Sequence, residues 1–175
     1  MNSTEKLFYQ DTHIVDFTGT VLECTALENG SFQVLLDRTA FFPEEGGQAA
    51  DAGTLEGQEV LDVQIRKEQI FHMVKKPLAV GSKVTGHVDW DRRFDFMQQH
   101  SGEHMISGLV HKHFGYDNVG FHLGLTEVTM DFNGTLSLAQ LREIELEANH
   151  AVWADLPVEV TFPSPDVLKA MEYRS

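Results

Sequence analysis

The chain is 175 residues long, 42% hydrophobic and 23% charged, with a formal net charge of −14, so it can bury the core of one domain or two small ones and is not a disordered segment. Acidic side chains outnumber basic ones thirteen to seven before Asp89 and fourteen to six from there on, so the charge is spread along the chain rather than held in a tail. Surfaces that track a phosphate backbone need clustered Lys and Arg; the acidity therefore argues against a dedicated DNA- or RNA-backbone binder, but not against a protein gripping only the end of an RNA at one local site.

In chain order, residues 1–88 read as short strands with turn punctuation. VLECTAL and SFQVLLD flank Glu28-Asn29-Gly30, the form of a β-hairpin. EVLDVQIR, QIFHMVKK and SKVTGHVDW supply further β-rich runs, and such even spacing without helical periodicity predicts a small β-barrel. A turn-rich insert, FFPEEGGQAADAG, interrupts them. Its Glu44 and Glu45 are expected on the surface and Phe41 and Phe42 in the core.

The pattern changes at Asp89. A helix is predicted from Asp91 to about Lys112, with Gly115 as its stop and Phe94, Met97, Ser101, Met105 and Leu109 as its packing face. Arg92 and Arg93 are read as partners of Asp89 or Asp95 on its surface in preference to contacts with RNA, and Glu103 as a solvated residue. A second helix starts at a Ser137–Gln140 capping box, with Leu141, Ile144, Ala148 and Val152 as its core stripe. LPVEVTF then reads as a strand. Ser164-Pro165 opens a third helix that meets no stop signal before Ser175. These elements predict an α+β chain with a barrel domain over 1–88 and a second domain over 89–175. A last helix without a stop suggests a longer natural chain.

Cys24, the single cysteine, forms no internal disulfide and suits a reducing compartment. The first residues lack the basic region and apolar run of a signal peptide, and no apolar stretch approaches the ~20 residues that span a bilayer. A cytoplasmic protein without a membrane partner is expected, of unspecified oligomeric state.

Within the long helix, MQQHSGEHMI places His100 and His104 four residues apart, on one helical face. Two imidazoles so placed can share a Zn²⁺ ion, but four-residue spacing is also met by chance in a chain with nine histidines. Cys24, His111, His113, His122 and His150 are the candidate further ligands. None has a convincing spacing, and His122 is the only plausible nearby recruit.

Two segments together are more specific. LDRTAFFPEEGGQAADAG and DWDRRFDFMQQHSGEHMISGLV resemble the editing domains of alanyl-tRNA synthetases and their free-standing AlaX-type relatives, through a D-x-T-x-F-F-P-x-x-G-G-Q-x-x-D-x-G run followed by an H-x-x-x-H helix. GFHLGLTEVTMDF and ANHAVWADLPVEV sit where that family has comparable segments. The resemblance implies a β-barrel followed by an α/β editing domain whose histidine helix packs on a sheet. It implies hydrolysis of tRNA for alanine mischarged with serine or glycine, with the tRNA acceptor end as partner. It also implies zinc held by His100, His104 and a Cys-x-x-x-His pair. No such pair occurs in this chain, so two further ligands are expected beyond residue 175 and the zinc site of residues 1–175 is incomplete. Gln48 could present its amide to substrate, and Thr39 could hydrogen-bond a serine hydroxyl. Other readings are a non-catalytic tRNA-end or protein-binding module with a vestigial metal site, and a threonyl-tRNA editing domain, against which the P-x-x-G-G-Q insert argues.

Overall fold

Eight strands precede the long helix: β1 (Glu5–Lys6), β2 (Asp16–Ala26), β3 (Phe32–Leu36), β4 (Arg38–Thr39), β5 (Gly53–Leu55), β6 (Gln58–Arg66), β7 (Gln69–Val74) and β8 (Lys83–Val88). The computed structural model in which they are seen describes residues 3–124, 127–159 and 161–171. Six of the strands pair antiparallel in the order β2-β3-β7-β6-β5-β8, and β8 pairs back to β2, so the ladder closes on itself as a barrel. β1 lies parallel to β4 outside that ring. The β2–β3 hairpin turns through Leu27–Ser31, where Gly30 adopts φ +81° and the Ser31 N–H donates to the Asn29 side chain at 3.0 Å.

Period-two alternation sends one face of each strand inward. Val84 and Val88 of β8, Ile70 and Val74 of β7, and Val34 and Leu36 of β3 meet Phe41, Leu55 and Val63 in the core. Gly86 occupies an inward position of β8, where a Cβ atom would stand 2.2 Å from the Phe17 ring; the missing side chain lets that ring in. His72, between Ile70 and Val74, also points inward. Its Nδ1–H donates to the Val34 carbonyl at 3.3 Å, so Nε2 accepts from the Thr39 hydroxyl at 2.9 Å, and burial pushes its pKa down to about 4.

α1 (Trp90–Phe114) starts where expected: the Asp89 side chain accepts the Arg92 backbone N–H, and Gly115 closes the helix at φ +67°. Its buried face is not the predicted one. Arg93, Phe96, Glu103, Ser107 and Val110 are buried, whereas Phe94 and Ser101 are exposed. The reading followed apolar side chains, but three of the five buried residues are polar and satisfied internally, which turns the contact face by about one residue. An antiparallel pair follows, β9 (Asn118–Leu123) and β10 (Val128–Phe132), with β9 packed against α1. The fold is thus mixed α and β, dominated by antiparallel strands.

Contacts divide the chain into units Met1–Thr135 and Leu136–Ser175. The expected boundary after residue 88 falls inside the first unit, because Arg93 reaches back from α1 to the carbonyls of Thr12, Ile14 and Ala40. In the second unit, α2 (Leu138–Trp153) opens with the expected capping box. Only Ile144 of its anticipated core stripe is buried; Leu141 and Val152 are exposed. The strand expected at LPVEVTF is absent among the described residues, where Leu156, Val158 and Phe162 are exposed and no neighbouring strand supplies a ladder (Val160 lies outside the described residues). α3 (Pro165–Ala170) ends with the Met171 N–H bonded to the Leu168 carbonyl and Met171 itself extended; the rest of the stretch expected to be helical, 172–175, lies outside the described residues. No helix among the described residues is long and apolar enough to cross a membrane.

Candidate metal centre on the long helix

α1 carries His100 and His104 one turn apart, their rings stacked at 5.0 Å with only 10° between planes. The insert between β4 and β5 meets them from the barrel side. Its tight turn is closed by reciprocal backbone bonds between Glu45 and Gln48, and the Gly47 carbonyl accepts the Leu123 N–H at 3.1 Å. Gly47 sits at φ +80°, and a Cβ atom there would lie 2.9 Å from the Phe121 carbonyl oxygen. Glycine is therefore required on two counts, backbone conformation and close approach to β9. The turn so held brings Gln48 to His100: the imidazole Nδ1–H donates to the Gln48 side-chain oxygen at 2.8 Å, across 52 positions of sequence. Glu44 and Glu45 are exposed and Phe41 is buried, as expected.

Two arginines at the head of α1 hold the same insert. Arg92 donates to the Ala50 carbonyl at 3.1 Å. The Arg93 guanidinium pairs with the Asp51 carboxylate, whose Oδ2 also accepts the Phe42 N–H at 2.6 Å. Asp51 thereby closes the loop that carries Gly46-Gly47-Gln48. Neither arginine pairs with Asp89 or Asp95 through its side chain as anticipated: Arg93 is itself buried, and its charge is matched inside the fold.

Glu103 is not solvated either. It is 3% exposed; Oε1 accepts from Ser107 at 2.6 Å and from the Asn118 amide at 2.8 Å, and Oε2 faces His104 Nδ1 at 3.4 Å. His100, Glu103 and His104 form the one group among the described residues whose donor atoms approach within 4.8 Å of one another. His122, the anticipated recruit, is not in it. His111 faces Asp117 at 2.9 Å, and Cys24 lies on β2, accepting the Leu78 N–H.

Each imidazole turns Nδ1 towards an oxygen, the Gln48 amide for His100 and the Glu103 carboxylate for His104. His100, its Nδ1 bonded to Gln48, is left with Nε2 as an available donor atom, while His104 Nδ1 stands at ion-pair distance from Glu103. Burial, and secondarily the neighbouring His104, hold the His100 pKa below the usual imidazole range, with Glu103 opposing. His100 is therefore neutral near pH 7, the form that binds a metal. Phe121 of β9 lies 5.2 Å from the His100 ring and shields one side.

Of the residues anticipated from sequence, Gln48, His100 and His104 come together and Thr39 does not join them. Thr39 is 0% exposed, its hydroxyl donating to His72 and accepting the Phe41 N–H at 3.1 Å. Its hydroxyl is thus engaged inside the barrel, with the side chain buried. Sequence reading missed Glu103, Asn118, Asp51 and Arg93; for the last two, the single signal was an Asp and an Arg lying in the two segments that carried the resemblance.

Residues 1–92 match the family model of tRNA synthetases class II (A). Alanyl-tRNA editing protein Aarsd1 of Rattus norvegicus is 37% identical over 92% of the chain and 43% of the relative. Alanyl-tRNA editing protein AlaX-L of Pyrococcus horikoshii is 31% identical over 89% of the chain and 40% of the relative. An alanine–tRNA ligase from Halorubrum lacusprofundi is 36% identical over 91% of the chain and 18% of the relative. The chain thus spans about two fifths of the length of these editing proteins.

Proposed function

Because the chain belongs to the family of tRNA synthetases class II (A) and resembles its alanyl-tRNA editing members, we propose that it takes part in hydrolytic removal of a wrong amino acid, serine or glycine, from tRNA for alanine. The observation that carries this reading is the meeting of Gln48 with His100: the two segments that mark the resemblance converge on one face of α1.

The chemistry is one that aminoacylation alone handles poorly. A pocket shaped for alanine cannot strongly reject an isostere that only adds a hydroxyl, nor a smaller residue, and discrimination stays near about a hundredfold. A second, hydrolytic site corrects the error. The acceptor end of the tRNA is the partner we assign to it, a contact that an acidic surface can make because one terminus needs few basic residues.

The donor set fits zinc. Two imidazoles share one helical face, the Nδ1 of His100 bonded to an amide and that of His104 3.4 Å from a carboxylate, the kind of backing by which proteins orient ligating histidines. His100 and His104 would hold the ion, supplying half of a tetrahedral set. Zinc bound there supplies a Lewis acid for ester hydrolysis. The remaining roles fall to the chain. Gln48 orients His100 through its oxygen, and its amide nitrogen, which takes no acceptor among the described residues, would donate to an ester carbonyl. Phe121 covers one side of the His100 ring. The Arg93–Asp51 pair fixes the insert so that Gln48 does not wander. A single half-buried cysteine suits a cytoplasmic setting.

Hydrolysis of seryl-tRNA for alanine by the complete gene product, loaded with zinc, tests the proposal. Release of free serine, lost in the His104→Ala variant, supports it. Intact seryl-tRNA after incubation with fully loaded protein would leave a binding module that does no chemistry.

A further inference from the structure

Carboxylates are rarely buried unless something is gained by it, and Glu103 is the buried acid beside the candidate metal face. Its two oxygens are divided between tasks. Oε1 is fixed by two neutral donors, the Ser107 hydroxyl and the Asn118 amide, and Asn118 also donates to Ser107 Oγ at 3.0 Å. The orientation of that amide is set in turn, because Asn118 Oδ1 accepts the Gly120 N–H of β9 at 3.0 Å. Oε2, left over from this frame, faces His104 Nδ1.

We propose that Glu103 is a positioning residue: its buried carboxylate, braced against β9 by Asn118 and against α1 by Ser107, holds the His104 imidazole with Nδ1 protonated and Nε2 bare and turned outward. The inference rests on the metal reading given above for His100 and His104. Glu103 acts through His104 and does not itself bind the ion. Its side chain is 2% exposed against 67% for His104, Oε1 is already occupied twice, and Oε2 faces the ring nitrogen other than the one left to the metal. A carboxylate behind an imidazole fixes the ring's tautomer and raises the basicity of its outer nitrogen. His100 has only the neutral Gln48 amide behind it. The two ligands are thus backed unequally, and His104 is the stronger donor although it is the more exposed.

The test uses the full chain and two readouts, zinc affinity by competition with a chelator and the imidazole nitrogen spectrum of zinc-free protein. In the wild type, His104 is expected with its proton on Nδ1. Glu103→Gln keeps an oxygen for Ser107 and Asn118 but turns an amide N–H₂ towards His104. The expected result is a tautomer shifted to Nε2–H and zinc bound about 10–100-fold more weakly, with unchanged helical content. Asn118→Ala releases the carboxylate without touching either histidine. It is expected to give a several-fold loss with mixed tautomers, and it carries the test should E103Q fail to fold. Affinity within twofold of wild type together with an unchanged tautomer overturns the proposal. So does a thousandfold loss of zinc with the tautomer unchanged, which would make Glu103 a direct ligand. If wild-type protein takes up no zinc at all, the metal reading falls, and the zinc-free spectra still decide whether Glu103 governs the His104 ring.

Discussion

Replacing Arg93 by Met keeps the aliphatic stem and deletes the guanidinium. Four acceptors lose their donor: the carbonyls of Thr12, Ile14 and Ala40 and the Asp51 carboxylate. The first two are part-buried and can turn to water, so their share is small. Asp51 is 3% exposed, and its Oδ1 has no hydrogen-bond partner among the described residues, so the carboxylate depends on Arg93 at Oδ2. A buried carboxylate stripped of its counter-ion costs about 3–5 kcal/mol, a large part of the 5–15 kcal/mol typical of a folded domain. Urea denaturation at pH 7, followed by circular dichroism, reads this as a lower midpoint at unchanged slope. Adding Asp51→Asn to the variant removes the orphaned charge while keeping an acceptor for the Phe42 N–H, and is expected to restore about 1–2 kcal/mol, a coupling visible only if the two side chains act as a pair. A loss below about 1 kcal/mol in R93M would refute the argument, because it would mean that Arg93 is as replaceable as a surface residue.

Other expectations follow from the same geometry. His72 takes its proton at 6.5 when unfolded and at about 4 when folded, so between these values the unfolded chain holds the extra proton. Stability is therefore intact above pH 6.5 and falls as pH drops towards 4, by up to about 3 kcal/mol, and His72→Leu flattens that part of a melting-temperature profile. Gly47→Ala forces a Cβ towards the Phe121 carbonyl at a left-handed φ; a loss of about 1–2 kcal/mol in thermal unfolding is expected, with a larger proportional loss of deacylation as Gln48 is displaced. Gln48→Ala is expected to lower single-turnover hydrolysis of seryl-tRNA by about 10²–10³ with little change in affinity for the tRNA.

Local signals carried much of the fold. The Asn29-Gly30 hairpin, the Gly115 stop, the Ser137 capping box and the alternating strands each depend on neighbours in sequence, and each was legible there. The failures share a different origin. LPVEVTF has strand-like composition, but a strand needs a partner, and no propensity within seven residues reports one. The packing face of α1 was misplaced because burial there belongs to Arg93, Glu103 and Ser107, whose compensating partners lie eleven to eighty-one residues away or one helical turn along. The same holds for the site. The spacing of His100 and His104 allowed a metal pair without establishing one, and the glycines before Gln48 marked the resemblance, yet nothing local said that a loop oxygen would meet an imidazole 52 positions on. Thr39 is the opposite case: its position in the motif suggested a contact with substrate, and the fold engages its hydroxyl with His72 of β7.

α1 holds the insert at one point through Arg93 and meets it again through His100, seven residues later. Seven residues are two turns less about 20°, so both grips lie along one line of the helix, about 10 Å apart. The helix is thereby a gauge of fixed length and phase. Inserting a single residue between Arg93 and His100 would swing the imidazole about 100° away from Gln48, whereas inserting seven would restore the direction and miss the distance. Side chains in this segment are open to exchange, but its residue count is not, and the barrel and the histidine face can drift apart in composition only so long as those seven positions remain seven.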